Sequence, residues 1–239
     1  MSSSSPASRA SSANRVPPAI RARGLTKDYG DLVALEPLDL DIPEGQLMVL
    51  VGHNGSGKTT FLRMTAGLLD PSAGSVEVAG EPAGSLDARA ALSYLPDNPV
   101  LYDDLSVAEH IEYTCRLHGA MDWEGRAVGL LDDLGLTSRA DDLPSRFSRG
   151  LRQKTAILLA LIRPFEILLV DEPFVGLDPG GREAFVELLD DVAAAGATVV
   201  IATHQLEYVT KADRCVALRD GALVYDGPPG QVDVLSLVG

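Results

Sequence analysis

The clearest chemistry in this sequence lies in nine residues, GHNGSGKTT, Gly52–Thr60. They satisfy G-x-x-x-x-G-K-[ST], a spacing that makes a phosphate-binding loop when a strand precedes it and a helix follows. Gly52, Gly55 and Gly57 let the backbone curl so that successive N–H groups point inward at phosphate oxygens. The helix N-terminus adds a partial positive charge. Lys58 is placed to reach β- and γ-phosphates, and the Thr59 hydroxyl to sit on Mg²⁺.

A second group of residues suits the same ligand. ILLVDEP, Ile167–Pro173, ends an apolar run on two acids. In doubly wound sheets, ligands bind at the carboxyl ends of strands. Asp171 suits Mg²⁺ held through water, and Glu172 suits polarisation of an attacking water. Two acids that merely end a strand would face solvent, but the phosphate loop gives these a partner. His204 follows VVIAT, again at the end of a predicted strand, where an imidazole can meet a γ-phosphate. His53, His110 and His118 read as surface histidines. Tyr29, in KDYGD, offers a ring for stacking on an adenine; the plainer reading is a packing residue. FSRGLRQKTAI, Phe147–Ile157, has no nucleophile, paired acids or metal cluster. It has a serine and a glycine at a helix start, which is an anion-binding end or an ordinary N-cap.

The elements that must position these residues alternate in type. GQLMVLVG is a buried strand before the phosphate loop, and KTTFLRMTAGLL, Lys58–Leu69, a helix after it. GSVEVAG alternates as a strand, and EILLVDEP and ATVVIATH are buried strands. GREAFVELLDDVAAAG, Gly181–Gly196, is a helix. CVALRDGALVYDG is a hairpin turning at Asp220-Gly221. Strands that alternate with helices imply a parallel sheet covered on both faces. Ser106–Ile162 is mostly helical, with loops at HGAMDWEG and LPSRFSRG. The expected fold is therefore α/β: a P-loop NTPase with a mainly parallel core sheet, an N-terminal antiparallel β subdomain and an inserted α-helical subdomain. The expected division is a disordered Ser/Pro-rich tail over 1–19 and one domain over 20–239. Within it, 20–96 and 163–239 form the core and 97–162 the helical subdomain.

Composition narrows the partners. A net charge of −14 argues against a nucleic-acid-binding surface. The two cysteines, Cys115 and Cys215, stand far apart without metal-ligand spacing, which suits a reduced compartment. No apolar run reaches the roughly 18–20 residues that span a bilayer, so a membrane role comes through a partner. The N-terminal segment lacks the apolar core of a secretory signal.

These pieces, in this order from about Ile20 onward, resemble the nucleotide-binding subunit of ATP-binding cassette (ABC) transporters. The resemblance is nearest to stand-alone ATPase subunits of exporter type. It implies ATP and Mg²⁺ as cofactors and hydrolysis of ATP to ADP and phosphate, with Glu172, His204 and Lys58 catalytic. Tyr29 matches the A-loop aromatic. Gly52, His53, Asn54, Gly55, Ser56, Gly57, Lys58, Thr59 and Thr60 match Walker A, Ile167–Asp171 matches Walker B, and Asp178, in GLDP, matches the D-loop. FSRGLRQK resembles the signature motif L-S-G-G-Q. Ser148 and Gly150 hold their places, Arg149 replaces a glycine and Leu151 the glutamine. The resemblance implies that Ser148–Leu151 contact ATP bound by the opposite subunit. Asp97 stands where the Q-loop glutamine is expected and is read as a third metal-side residue with Thr59 and Asp171. Val100, Leu101, Tyr102 and Leu105 match the place where a transmembrane permease subunit docks; packing between subdomains is the competing reading. The implied assembly is a homodimer or heterodimer of ATPase subunits at the cytoplasmic face of the membrane. It energises transport by closing on ATP and opening after hydrolysis. A soluble scaffold ATPase of the iron–sulfur assembly type is the alternative. A GTPase or small-molecule kinase is disfavoured by the lack of an N-K-x-D base-reading motif.

Overall fold

A computed structural model describes residues 17–204 and 210–231. Of the expected tail, residues 1–16 lie outside the described residues. Ala19 is already buried, and its carbonyl accepts from the Ala79 N–H at 2.8 Å.

The first strands alternate and form a sheet of their own. β1 (Ile20–Asp28) buries Ile20, Ala22 and Leu25, and β2 (Val33–Ile42) buries Leu35, Leu38, Leu40 and Ile42. They pair antiparallel with Ile20 opposite Ile42 and Ala22 opposite Leu40. β4 (Ala73–Val78) and the two-residue β5 (Glu81–Pro82) complete the order β2-β1-β4-β5, all antiparallel.

The second sheet contains β3 (Leu47–Val51), β6 (Leu92–Leu95), β7 (Ile167–Asp171), β8 (Thr198–Thr203), β9 (Arg214–Arg219) and β10 (Ala222–Gly227). Its order is β10-β9-β3-β8-β7-β6, parallel except for the β9–β10 hairpin. β3, β7 and β8 are covered on both faces, which is why they read as unbroken apolar runs. One face packs Met48, Leu50, Leu169 and Val200 against Phe61 and Leu62 of α1 (Lys58–Thr65) and the antiparallel sheet. The opposite face packs Val49, Leu168, Val170 and Val199 with residues from four helices. These are α3 (Val107–Leu117), α4 (Glu124–Asp133), α5 (Arg149–Leu161) and α6 (Pro179–Ala194).

Three sequence expectations need correction. α1 stops at Thr65, not Leu69. Gly67 has φ +67°, its N–H bonds the Met64 carbonyl, and the Leu68 N–H reaches back to the Arg63 carbonyl. This is a Schellman end, and it satisfies carbonyls the helix leaves open. The sequence reading also passed over α2 (Leu86–Ala91), which runs straight into β6 with no turn residue between them. Arg163, only 6% exposed, seals that junction by donating to the carbonyls of Arg89, Ala90 and Leu92. Finally, His110 is a core residue rather than a surface one. It is 3% exposed, its Nε2 accepts from the Tyr102 N–H at 2.9 Å, and its Nδ1 lies 2.8 Å from the Ser106 carbonyl. His53 is half-buried and His118 exposed. Cys115 and Cys215 are buried and unbridged. No helix of the described residues is long and apolar enough to cross a membrane.

Candidate active site

The phosphate loop joins β3 to α1 under tight local constraint. Gly57, the N-cap of α1, has φ +105°, and a Cβ there would lie 2.7 Å from the Ala34 carbonyl oxygen. A Cβ on Gly52 would lie 2.5 Å from the Leu218 carbonyl oxygen. The loop is thus held between β2 and β9, and only glycine fits at both points. The Gly221 N–H donates to the Ser56 carbonyl at 3.2 Å, and the Ser56 N–H to the His53 carbonyl at 3.1 Å. The first turn of α1 has no acid and no side-chain cap, so its N–H groups and dipole are left for an anion. His53 bridges outward, with Nε2 3.3 Å from Asp220 Oδ1. Asn54 and Gly55 are exposed at the loop tip, Ser56 is buried, and Thr59 and Thr60 are half-buried on the first turn.

Lys58 lies across the loop. Its Nζ donates to the carbonyls of Gly52 at 2.7 Å and His53 at 3.2 Å and stands 3.5 Å from Glu172 Oε1. Glu172 follows β7 with φ +47°, a left-handed backbone that costs a non-glycine residue about 1–3 kcal/mol. That turn directs its carboxylate between two partners. Oε1 faces Lys58, and Oε2 is 2.8 Å from His204 Nδ1, at the end of β8. Glu172, His204 and Lys58, from three separate elements, therefore meet at one carboxylate.

Asp171 is 1% exposed. Burial pushes its carboxyl above the usual range; a hydrogen bond from Thr59 opposes this, the nearby charges of Asp97 and Glu172 add to it, and Lys58 opposes it. Its Oδ1 is buried and has no hydrogen-bond partner. The Tyr94 hydroxyl lies 3.5 Å from Oδ2. An unpartnered buried carboxylate oxygen, a threonine hydroxyl and a second acid are hard oxygen donors that fit Mg²⁺. Among the described residues, no three of His, Cys, Asp and Glu could hold a metal together. Mg²⁺ sites that keep waters and phosphate oxygens need only one or two carboxylates. Asp97 is half-buried and accepts from Asn98 Nδ2 at 2.8 Å. It lines a cavity of about 340 Å³ with Arg149, Arg152 and Gln153.

Tyr29 sits at the β1–β2 turn, 57% exposed, with Lys27 Nζ 5.1 Å from its ring centroid. Ser148 is the N-cap of α5, and its Oγ accepts from the Leu151 N–H at 3.3 Å. Arg149 is exposed, while Gly150 and Leu151 are half-buried. A Cβ on Gly150 would stand 2.7 Å from the Gly176 carbonyl oxygen, so α5 rests directly on the loop after Glu172. Two further bonds tie them: Gln153 Nε2 to the Pro173 carbonyl at 3.3 Å, and Lys154 Nζ to Asp178 Oδ1 at 3.0 Å. Among the described residues, no hydrogen bond or ion pair joins Ser148–Leu151 to Gly52–Thr60. Beside the Asp97 loop, Val100 and Tyr102 are exposed and Leu101 and Leu105 half-buried.

Sequence reasoning missed Tyr94, Gln153 and Lys154. The two α5 residues were within the quoted motif, but their contacts lie in a loop some twenty residues away. Tyr94 carried no local signal.

Known proteins are similar to this chain in sequence and in fold. Residues 35–175 match the family model described as "ABC transporter". The "SkfA peptide export ATP-binding protein SkfE" of Bacillus subtilis (strain 168) is 32% identical over 210 residues, which cover 87% of this chain and 88% of that protein. A solved "Structure of ATP binding subunit of ABC transporter" has a TM-score of 0.83 at 30% identity, covering 88% of this chain and 90% of that one. The "Dimeric structure of a post-hydrolysis state of the ATP-binding cassette MJ0796 bound to ADP and Pi" has a TM-score of 0.80 at 27% identity, covering 89% of this chain and all of that one. The scaffold alternative finds no support in these matches. With the phosphate loop, the Glu172 centre and the α5 segment on one P-loop NTPase fold, the chain belongs to the ABC transporter family as an ATP-hydrolysing subunit that energises transport.

Proposed function

We propose that two such cassettes close face to face with an ATP at each of two shared sites, and that their cycle drives a separate transmembrane subunit at the cytoplasmic face of the membrane. The carrying observation is the Ser148–Gly150 helix start. Its first turn carries no acid, it has no bond to its own phosphate loop, and it is fastened to the loop that follows Glu172. Its natural ligand is the γ-phosphate held by another subunit.

In this reading Gly52–Thr60 cradle the phosphates, and Lys58 exchanges carbonyl partners for phosphate oxygens. Tyr29 stacks on the adenine. Thr59, Asp171 and Asp97 would hold Mg²⁺, which would supply charge neutralisation at the phosphates. Glu172 takes or orients the proton of the attacking water, and His204 keeps its carboxylate in place. Closure excludes water and so strengthens each of these contacts. The α5 contact, with Arg149 and Leu151 flanking Gly150, reports closure to the D-loop at Asp178. Residues 97–162 move as a helical subdomain against a core of 20–96 and 163–239. Val100, Leu101, Tyr102 and Leu105 pass that motion to the permease. One chain carries every part of both half-sites, which suits a homodimer. A related second cassette would serve as well.

The test is Glu172→Gln with MgATP. The variant should lose nearly all turnover, retain nucleotide and elute as a dimer in size-exclusion chromatography with light scattering. A variant that stays monomeric at saturating MgATP would sink the face-to-face arrangement.

A further inference from the structure

We propose that Tyr94 is a positioning residue of the hydrolytic centre: its phenol holds one oxygen of Asp171 so that the other is presented to the divalent cation that accompanies ATP. This rests on the reading above in which Thr59 and Asp171 hold Mg²⁺.

The register of the sheet brings Tyr94 and Asp171 to one face. β6 pairs in parallel with β7, with Tyr94 opposite Leu169 and Leu95 opposite Val170. Side chains alternate along a strand, so Tyr94, Leu169 and Asp171 share one face. Leu169 and Tyr94 belong to the packing around α1, which places that face toward α1. Along α1, Thr59 opens the first turn and Arg63 lies four residues on, on the same side of the helix.

Tyr94 therefore stands between Asp171 and Arg63. Its hydroxyl donates toward Asp171 Oδ2 at 3.5 Å, and the Arg63 guanidinium acts on the phenol from the other side. A guanidinium only donates and an ionised carboxylate only accepts. The phenol must then give its proton to Asp171, with the Arg63 charge beside its oxygen. At the far side of the same carboxylate, Oδ1 is buried without a partner. Thr59, whose hydroxyl acts on the same carboxyl, and Asp97 are the other residues read as metal-holding. One oxygen is thus tethered and one is left over, on a carboxyl only 1% exposed. An outer partner that sets the orientation of a metal-side carboxylate is the arrangement expected where a cation must be met in one geometry.

Tyr94→Phe removes the hydroxyl and keeps the ring, so packing around α1 is retained. The full chain is titrated with Mg²⁺ in the presence of a non-hydrolysable ATP analogue, and thermal stabilisation and binding of a fluorescent analogue are read. A parallel series in EDTA gives metal-independent binding. For Tyr94→Phe the Mg²⁺ midpoint should rise at least about tenfold, as for loss of other outer-shell partners of metal sites. Binding in EDTA should match wild type, which a merely structural defect would not leave intact. Arg63→Met should move the midpoint in the same direction by less, and it carries the test if Tyr94→Phe does not fold. An unchanged midpoint in either folded variant, with wild type showing clear Mg²⁺ dependence, overturns the role of Tyr94 alone. Wild-type binding that ignores Mg²⁺ overturns both this proposal and the metal reading beneath it.

Discussion

Arg149 stands where the family pattern has a glycine, and its surroundings separate two consequences that usually run together. It opens α5, whose first turn has no acid, so its charge meets the positive end of the helix dipole. The aliphatic stem lies over Gly176, where a Cβ would come within 3.0 Å of Arg149 Cγ. Among the described residues the guanidinium has no ion pair or hydrogen bond, in a chain with 34 acids against 20 bases. An isolated subunit thus bears a small electrostatic cost that an incoming phosphate would offset. Arg149→Glu should raise stability, because an acid at a helix start contributes about 0.3–1 kcal/mol. The same change should cut ATPase activity steeply, because it sets a carboxylate against the partner's γ-phosphate. A thermal melt without nucleotide and a steady-state ATPase assay read the two signs. A melt that rises with activity intact would remove Arg149 from the shared site.

At the scale of elements, the junction between α5 and the loop after Glu172 is the part most sensitive to small changes. Gly150→Ala puts a methyl 2.7 Å from a backbone oxygen, where no flexible side chain can yield. Overpacking of this kind costs about 1–3 kcal/mol. Hydrolysis should fall while binding of one ATP to one subunit, measured by fluorescence, stays near wild type. The Lys154–Asp178 pair is weaker, since Asp178 is 63% exposed and such pairs contribute at most about 1 kcal/mol. The hydrogen bond from Lys154 lowers the Asp178 pKa, so its contribution is present above the ordinary aspartate value of about 3.9 and is lost as pH falls through the depressed folded value. Lys154→Met should therefore produce the same small stability loss at every pH from neutral down to mild acid. What could be read in the sequence divides along the same line. The phosphate loop, the β7 acids and the Asp220-Gly221 turn are local patterns, each complete within about ten residues, and they were legible. The α2–β6 junction has no turn residue to mark it, and the Tyr94 contact with Asp171 spans 77 positions. Pairings of that kind come from strand order, which no local period encodes. His110 looked like a surface residue for a different reason: the partner that makes its burial possible is a backbone N–H, which no side-chain pattern announces.

For the whole molecule, the question is how a change at the phosphates reaches a partner in the membrane; on the docking proposed above, the Asp97–Leu105 loop would join the two. At one end Asp97 acts electrostatically on Asp171. At the other, the loop is pinned to α3, where His110 Nε2 takes the Tyr102 N–H and the Tyr102 ring meets Tyr113 edge-on at 5.5 Å between centroids. The pin uses the backbone of Tyr102, which leaves its side chain 55% exposed beside Val100 at 96%. An apolar side chain carried outward on a fixed main chain is suited to transmitting force across an interface. Tyr102→Asp keeps the N–H bond to His110, gives up the ring contact with Tyr113 and changes what the loop presents. Stability should then fall by about 0.5–1.5 kcal/mol, as for loss of one aromatic pair. Basal ATPase activity of the purified subunit should be unchanged, whereas stimulation by the permease and transport in reconstituted vesicles should be lost, since a carboxylate would have to be desolvated in an apolar groove. Equal loss of basal and permease-stimulated activity would place Tyr102 in the packing between core and helices and leave transmission to another surface.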